Sequence, residues 1–491
     1  MSMQREADQS VLMDGDEASA GPQRPRMPVD KQFREYDQDQ PMLLAPGVRD
    51  WLPAADPARW VDDLVEQGLD LAPFYDDYTQ VRGAPPYDPR LMLKLLIYGY
   101  SHGIISSRAL ERRCQHDVAF MFLTAQAAPD FVAISRFRRR HLKAFTHLFT
   151  QVLELCAQAG LVSLGRVALD GSKIRASASR HRAMSYDQMV RAETELAAEV
   201  EQLLAEAECT DTAQDAKYGQ RRGDELPAEL ARRENRLTVI GKAKADLEAE
   251  HGAKARAKAE QAAAKRGAAG TEQAAAGERG EVAAVVPAKA QRSFTDPDAR
   301  IMKTSDGSFH CCYNAQTVVD EDSQVIVHTR LVPSGADSPE LPAALVDLAE
   351  GLRAAGIQGK PDTLLADAGY FIEDNVTAAT EAGILPLIAT GRQRHGEKPP
   401  AAPRGRIPKG LTPKQRMARK LPTNKGAADY ARRKAIVEPA FGQMKAAQDA
   451  GRLGLRGLQN VQGEWTLQAL CHNARKLRNS GFHWTPATAL T

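Results

Sequence analysis

Apolar residues along this chain follow two different periods, and the change from one to the other divides it. Between Trp51 and Gly160 the spacing is helical. Trp51, Trp60, Val61, Leu64 and Val65 predict a short amphipathic helix, and after Pro85-Pro86 a second runs from Pro89 to about His102. That second helix carries Leu91, Leu93, Leu95, Leu96, Ile97 and Tyr98, so it is apolar nearly all round and belongs inside a helical module. From Ala133 to Gly160, Ile134, Phe137, Phe145, Leu148, Val152 and Leu155 form a stripe near period 3.5. The stripe predicts one long helix, with Gly160 as its stop.

Strand signals begin at RVALDGSK, Arg166 to Lys173. Val167, Ala168 and Leu169 predict a short buried strand that Asp170-Gly171 breaks. An aspartate at a strand end places a carboxylate at the rim of a sheet, although it is also a common turn residue. From Ala176 to about Gln291 the character changes. Leu196, Val200, Leu203 and Ala207 make one helical stripe and Leu230, Leu237, Ile240 and Leu247 another, across a polar loop with Gly219 and Gly223, which predicts a helical hairpin. Residues 252–280 hold almost nothing large to bury and read as flexible linker or frayed helix.

Strands return at Cys311–Val319 and Gln324–Val332, an antiparallel hairpin with a polar turn. A helix from Ser338 to Ala355 follows, with Ser338 as cap, Pro339 at its first position and Gly356 past its end. Thr363–Ala366 is a buried strand ending at Asp367, with Gly369 behind it, and another helix leads to a strand at Ile384–Ala389. The order predicts an α/β sheet whose first and fourth strands both end in an aspartate. Such sheets place reactive groups at strand ends, so Asp170 and Asp367 are expected to be neighbours.

The last informative pattern is YARRKAIVEPAFGQMK, Tyr430 to Lys445. Val437, Phe441 and Met444 mark a buried helical side, while Lys434, Glu438 and Lys445 share another and set a carboxylate between two ammonium groups. Taken alone, the stretch reads first as a surface helix with favourable charge pairs. Pro439 lacks an N–H and clashes with the carbonyl of Ala435, so the helix is expected to start near Glu438 or to kink there.

Composition narrows the function. With 491 residues, 43% hydrophobic and 26% charged, the chain suits a soluble protein of two to four domains. No apolar run is long enough for a bilayer and the first forty residues lack a signal-peptide core, so a cytoplasmic protein is expected. Cys114, Cys156, Cys209, Cys311, Cys312 and Cys471 show no zinc-ligand spacing and read as reduced thiols. The net charge of +2 hides basic blocks. Arg136, Arg138, Arg139, Arg140 and Lys143 crowd one helix, and residues 391–425 carry eleven Lys and Arg against Glu397 alone. A polyanion is the natural partner of such blocks, and Arg suits phosphate and guanine edges. Asp170, Asp367 and Glu438 together supply the hard oxygen donors that Mg²⁺ prefers, and a pair of such ions can work on a phosphodiester.

At this point the chain resembles the DDE transposases of bacterial insertion sequences, which have a ribonuclease H-like catalytic domain, in the branch named after insertion sequence eleven-eighty-two. The resemblance rests on RDWLP at Arg49–Pro53, YDPRLMLKLLIYGY at Tyr87–Tyr100, SRALERRCQHDVAF at Ser107–Phe120, ISRFRRRH at Ile134–His141, LDGSK at Leu169–Lys173, YNAQTVVD at Tyr313–Asp320, ADAGY at Ala366–Tyr370 and VEPAFGQMK at Val437–Lys445. It implies a mixed sheet flanked by helices, with an all-α N-terminal domain. The expected division is a disordered tail over 1–40, a helical DNA-binding domain over 41–161, the catalytic domain over 162–175 and 301–485, a helical and partly low-complexity insertion over 176–300, and a basic segment over 391–428.

The resemblance also implies a catalytic, metal-binding triad of Asp170, Asp367 and Glu438 holding two Mg²⁺ ions, with Mn²⁺ able to substitute. Tyr430, Arg433 and Lys445 map onto a Tyr, Arg, Glu, Lys pattern around the third acid; Lys434 stands at the usual arginine spacing. These residues, with Lys173 and the arginines at 136 and 138–140, are the expected DNA contacts. Implied partners are double-stranded DNA, as terminal inverted repeats and target, and further copies of the chain in a homodimer or larger synaptic assembly, associated with the nucleoid and with no membrane. The alternatives are an inactive or domesticated DNA-binding derivative and a plain metal-dependent nuclease. Two carboxylates working as acid and base on a glycoside leave the basic blocks without a role.

Overall fold

Among the described residues, seven α-helices form the first part of the molecule: α1 (Pro57–Asp63), α2 (Ala72–Tyr75), α3 (Pro89–Ser101), α4 (Ser107–His116), α5 (Val118–Leu123), α6 (Phe131–Arg140) and α7 (Ala144–Gln158). The structure, a computed structural model, describes residues 47–78, 85–218, 228–267, 286–391, 405, 408 and 410–484. The tail over 1–40 lies outside them, as do residues 268–280 and most of the basic stretch from Arg392 to Lys409.

α3 is buried nearly all round, as its composition demands. The single long helix expected from Ala133 is instead two, α6 and α7, parted at His141–Lys143. His141 turns inward against Phe74 and Phe137, with ring centroids 5.0 and 4.5 Å away. A 3.5-residue stripe does not distinguish one helix from two whose apolar sides line up. Gly160, with φ +73°, does close α7.

β1 (Arg166–Arg175) follows, then β2 (Ala183–Ser185), the long helices α8 (Tyr186–Tyr218) and α9 (Ala228–Gly267), and β3 (Gln291–Ser293). α8 and α9 form the expected hairpin, closed by Met189, Leu196, Ile240 and Leu247. The antiparallel pair β2–β3 ties its base. α9 continues helically over Gly252–Gly267, where linker or frayed helix was expected. Ala, Lys, Glu, Gln and Arg bury little, but they are strong helix formers.

The remaining elements are β4 (Arg300–Lys303), β5 (Phe309–Asp320), β6 (Ile326–Val332), α10 (Leu341–Ala354), β7 (Thr363–Ala366), α11 (Glu373–Glu381), β8 (Leu385–Ile388), α12 (Pro413–Lys420), α13 (Asn424–Ala447) and α14 (Leu458–Asn479). Ser338 opens a short 3-10 turn ahead of α10 and makes no capping bond. In the six-stranded sheet β1 is central, antiparallel to β5 and parallel to β7, with β8 beyond β7 and both β4 and β6 on the far edge of β5. Asp170-Gly171 does not break β1, because β5 pairs with it across both residues (Asp170 with Thr317, Gly171 with Gln316). What stops there is the pairing with β7, which covers only Arg166–Leu169.

Alternation along the strands feeds two cores. Val167, Leu169, Leu364 and Ala366 point into one shared with α10, α14 and the N-terminal helices, so the helical module and the sheet pack as one body. Ala168, Leu365, Tyr313 and Ala315 point into the other, under Val437, Ala440 and Met444 of α13 and Trp465 of α14. α13 is continuous through Pro439, so the helix does not start at Glu438. The carbonyl that Pro439 leaves without its helical donor is Ala435's, and it accepts a hydrogen bond from Gln324 Nε2 at 3.0 Å. Among the described residues no helix is long and apolar enough to cross a membrane.

Candidate active site

Parallel register fixes the first two acids. Leu169 lies opposite Ala366, and the next residues, Asp170 and Asp367, stand where the pairing of β1 with β7 ends. Asp367 Oδ1 accepts the Gly369 N–H at 2.8 Å. Asp170 accepts the Gly171 N–H at 2.9 Å and faces Arg433, whose Nη1 is 3.2 Å from Oδ2. Burial pushes the Asp170 carboxyl up to about 6; Arg433 and the Gly171 N–H oppose this, and the negative charges of Asp367 and Asp337 add to it.

α13 lies along the same face of β1. Arg433 meets Asp170, and the Lys445 ammonium donates to Ser172 Oγ at 2.6 Å, so the helix is pinned to β1 on both sides of Glu438. Tyr430 is half-buried next to Arg433, which together with burial sets its hydroxyl's environment. Glu438 itself is exposed, without a hydrogen-bond or ion-pair partner among the described residues, and Lys434 is exposed as well. The two aspartates are therefore together, while the glutamate on the helix beside them is exposed. Among the described residues no three Asp, Glu, His or Cys groups converge closely enough to hold a metal ion as they stand.

Two expected DNA contacts are engaged inside the protein instead. Arg138 is 6% exposed. It donates to Tyr100 Oη at 2.7 Å, the Ile105 carbonyl at 2.9 Å and Ser107 Oγ at 3.3 Å. Arginines at 136, 138, 139 and 140 spread round the axis of an α-helix, so one of them had to face the core. Lys173 is turned into the fold, donating to the Gly335 carbonyl at 3.1 Å and Asp337 at 3.4 Å. Arg140 is exposed but bonds the Asp77 carbonyl and stacks over Tyr78 at 4.3 Å. Arg136 and Arg139 do face solvent, alongside Arg108 and Arg112 of the adjacent α4. Arg108 and Arg112 are one helical turn apart, a pairing whose sequence signal was the i,i+4 spacing of SRALERR.

The residue with no sequence signal as a site group is Asp337, which stands just before Ser338, the expected helix cap, and makes no side-chain capping bond itself. It sits between Gly171 and Gly369. A methyl group on Gly171 would lie 2.5 Å from Asp337 Oδ1, and one on Gly369 would lie 3.4 Å from Oδ2.

Residues 47–140 match the family described as Transposase domain (DUF772), and residues 286–474 match Transposase DDE domain. The second match contains Asp337, Asp367 and Glu438, and Asp170 lies between the two. No curated protein and no solved structure matches the chain.

Proposed function

The chain belongs to the DDE transposases of insertion sequences, and from that premise we propose that it binds the terminal inverted repeats of its own element and carries out metal-dependent cleavage and strand transfer at them. The observation that carries this reading is that Asp170 and Asp367 each follow directly on the last paired residues of the parallel strands β1 and β7, beside a helix that bears Glu438. The strand order, with antiparallel β5 carrying β4 and β6 on one side of β1 and parallel β7 and β8 on the other, supports a ribonuclease H-like catalytic domain.

In this reading Asp170, Asp367 and Glu438 hold two Mg²⁺ ions, for which Mn²⁺ can substitute. The donor set fits: all three groups offer hard oxygens, and burial together with the charges of Asp367 and Asp337 disfavours the Asp170 carboxylate, a penalty that a cation relieves. When bound, such ions lower the pKa of an attacking water and neutralise charge on the leaving oxygen of a phosphodiester. Arg433 and Lys445 flank the acids and are placed to meet the DNA backbone there. Water frees a 3′-hydroxyl at the element's end, and that hydroxyl attacks target DNA, so no side-chain nucleophile is required.

Arg108, Arg112, Arg136 and Arg139 form the exposed basic face through which the helical module reads the repeats. The hairpin of α8 and α9 is the contact for a second copy in a synaptic dimer or larger assembly. The eleven-eighty-two branch is part of the same proposal.

A strand-transfer assay on paired inverted-repeat ends with Mg²⁺ tests it. Joined products are expected from the wild-type chain. Glu438→Gln should bind the repeats and fail to cut. Binding without cleavage by the wild type would overturn the catalytic claim and leave an inactive derivative; nicking at random sites without joining would make it a plain nuclease.

A further inference from the structure

Asp337 is built into the site with a care that a capping residue does not need. Its Oδ1 accepts from three donors: Asn314 Nδ2 at 2.7 Å, Gln316 Nε2 at 2.9 Å and Lys173 Nζ at 3.4 Å. Gln316 is itself held, its amide oxygen accepting from the buried Tyr370 hydroxyl. One oxygen of the carboxylate is thus fixed by groups from β1 and β5, while Oδ2 has no hydrogen-bond partner. That free oxygen faces the Asp367 loop. Asp337 Oδ2 lies 3.4 Å, and Asp367 Oδ1 2.9 Å, from the point where a Gly369 Cβ would stand, so the two are at most 6.3 Å apart.

A second group points the same way. Asn314 is fully buried, its amide nitrogen is committed to Asp337, and its amide oxygen has no partner. That oxygen is 2.8 Å from the Cβ position of Gly171, and Asp337 Oδ1 is 2.5 Å from the same point. A buried polar atom left unpaired costs about 1–3 kcal/mol, so this oxygen gains from a cation or a cation-bound water that it can meet. The glycines at 171 and 369 keep the space between these oxygens clear.

We propose that Asp337 is a fourth carboxylate of the cation site, its free oxygen joining Asp367 around a divalent ion either directly or through one of the ion's waters. This rests on the metal-dependent reading above. The donors on Oδ1 then act as outer supports that fix the carboxylate's orientation.

Calorimetric titration of the metal-free full chain with Mn²⁺, without DNA, tests it. Asp337→Asn should weaken binding by about tenfold or more, the range typical for loss of such a group. Asp367→Asn is the reference. If it binds Mn²⁺ like the wild type, the metal reading of the whole site falls; if it loses binding while Asp337→Asn does not, only the role of Asp337 falls. A second measurement needs no variant. Fe²⁺ with peroxide cuts the backbone beside the bound ion, and fragments ending near Gly335–Ser338 as well as near Asp367 are expected. Cuts near Asp367 and Asp170 alone would overturn the proposal.

Discussion

Removing the Arg138 guanidinium should damage folding, not DNA binding. Arg138 is buried and spends its charge on Tyr100, Ile105 and Ser107. Burial works against that charge; the Tyr100 oxygen and the Glu464 carboxylate outweigh it and hold the guanidinium's pKa above its ordinary value. Glu464, on α14, is 1% exposed and accepts the N–H groups of Gly454 and Leu455 at 2.8–3.0 Å. Its pKa is raised by burial and held down chiefly by Arg138.

Arg138→Ala therefore leaves a buried carboxylate without its compensating cation, a change that costs about 3–5 kcal/mol when the two partners touch. Arg138 and Glu464 act on each other through space, which sets the expectation near the lower end, roughly 3 kcal/mol. The loss should depend on pH. Without Arg138 the folded pKa of Glu464 rises further above its unfolded value, so stability falls as pH rises from the unfolded pKa towards the folded one, and the deficit is larger at pH 8 than at pH 5. Urea unfolding of wild type and variant at the two pH values measures it. Arg138→Met with Glu464→Gln should recover part of the loss, as coupled sites do. The reasoning is refuted if Arg138→Ala keeps wild-type stability while its affinity for the repeats falls with a flatter salt dependence.

The exposed neighbours should behave in the opposite way: Arg139→Ala and Arg112→Ala should change stability by less than about 0.5 kcal/mol. Each should also flatten the log–log salt slope of repeat binding by about 0.9 per lost phosphate contact, as titrations at several salt concentrations can show. Because the Asp170 carboxyl is pushed up to about 6, the folded chain holds this proton when the unfolded chain has released it. Stability of the metal-free protein should then fall by up to roughly 3 kcal/mol as pH rises from 4 through 6. Asp170→Asn should lose that segment of the pH profile, and an unchanged profile would contradict the burial of Asp170. Gly171→Ala places a methyl 2.5–2.8 Å from Asp337, Gln316 and Asn314 and should cost about 1–3 kcal/mol by overpacking, read as a lowered unfolding midpoint.

Local pattern made much of the fold legible. The strand Val167–Leu169, the hairpin, the strands ending at Asp367 and Ile388 and the α8–α9 pair each carry their own period, and the structure has them all. Where reading and structure part, the deciding contact comes from far along the chain. β1 continues past Asp170-Gly171 because residues near 316 pair with it, and α6 ends at His141 because that ring packs against Phe74. Charge pattern alone could not say which of Arg136, Arg138, Arg139 and Arg140 faces Tyr100, since that depends on how α6 settles on α3.

The site divides along the same line. Asp170 and Asp367 were legible because an acid directly after a buried apolar run needs only that run to be recognised, and parallel register does the rest. Asp337 was not, because nothing local distinguishes an acid before a helix from one held by Asn314 and Gln316, and those two lie on the face of β5 that only the sheet's register turns towards it. Pro439 sharpens the contrast. Its local chemistry forbids a donor to the Ala435 carbonyl, so the reading from sequence was a break or a start. The fold answers with Gln324, a residue at φ +58° in the β5–β6 turn, whose amide supplies that donor across the chain. The helix can then pass intact over β1 with Arg433 and Lys445 both anchored, and the position of Glu438 between them becomes a property of the turn at Gln324 as much as of its own helix.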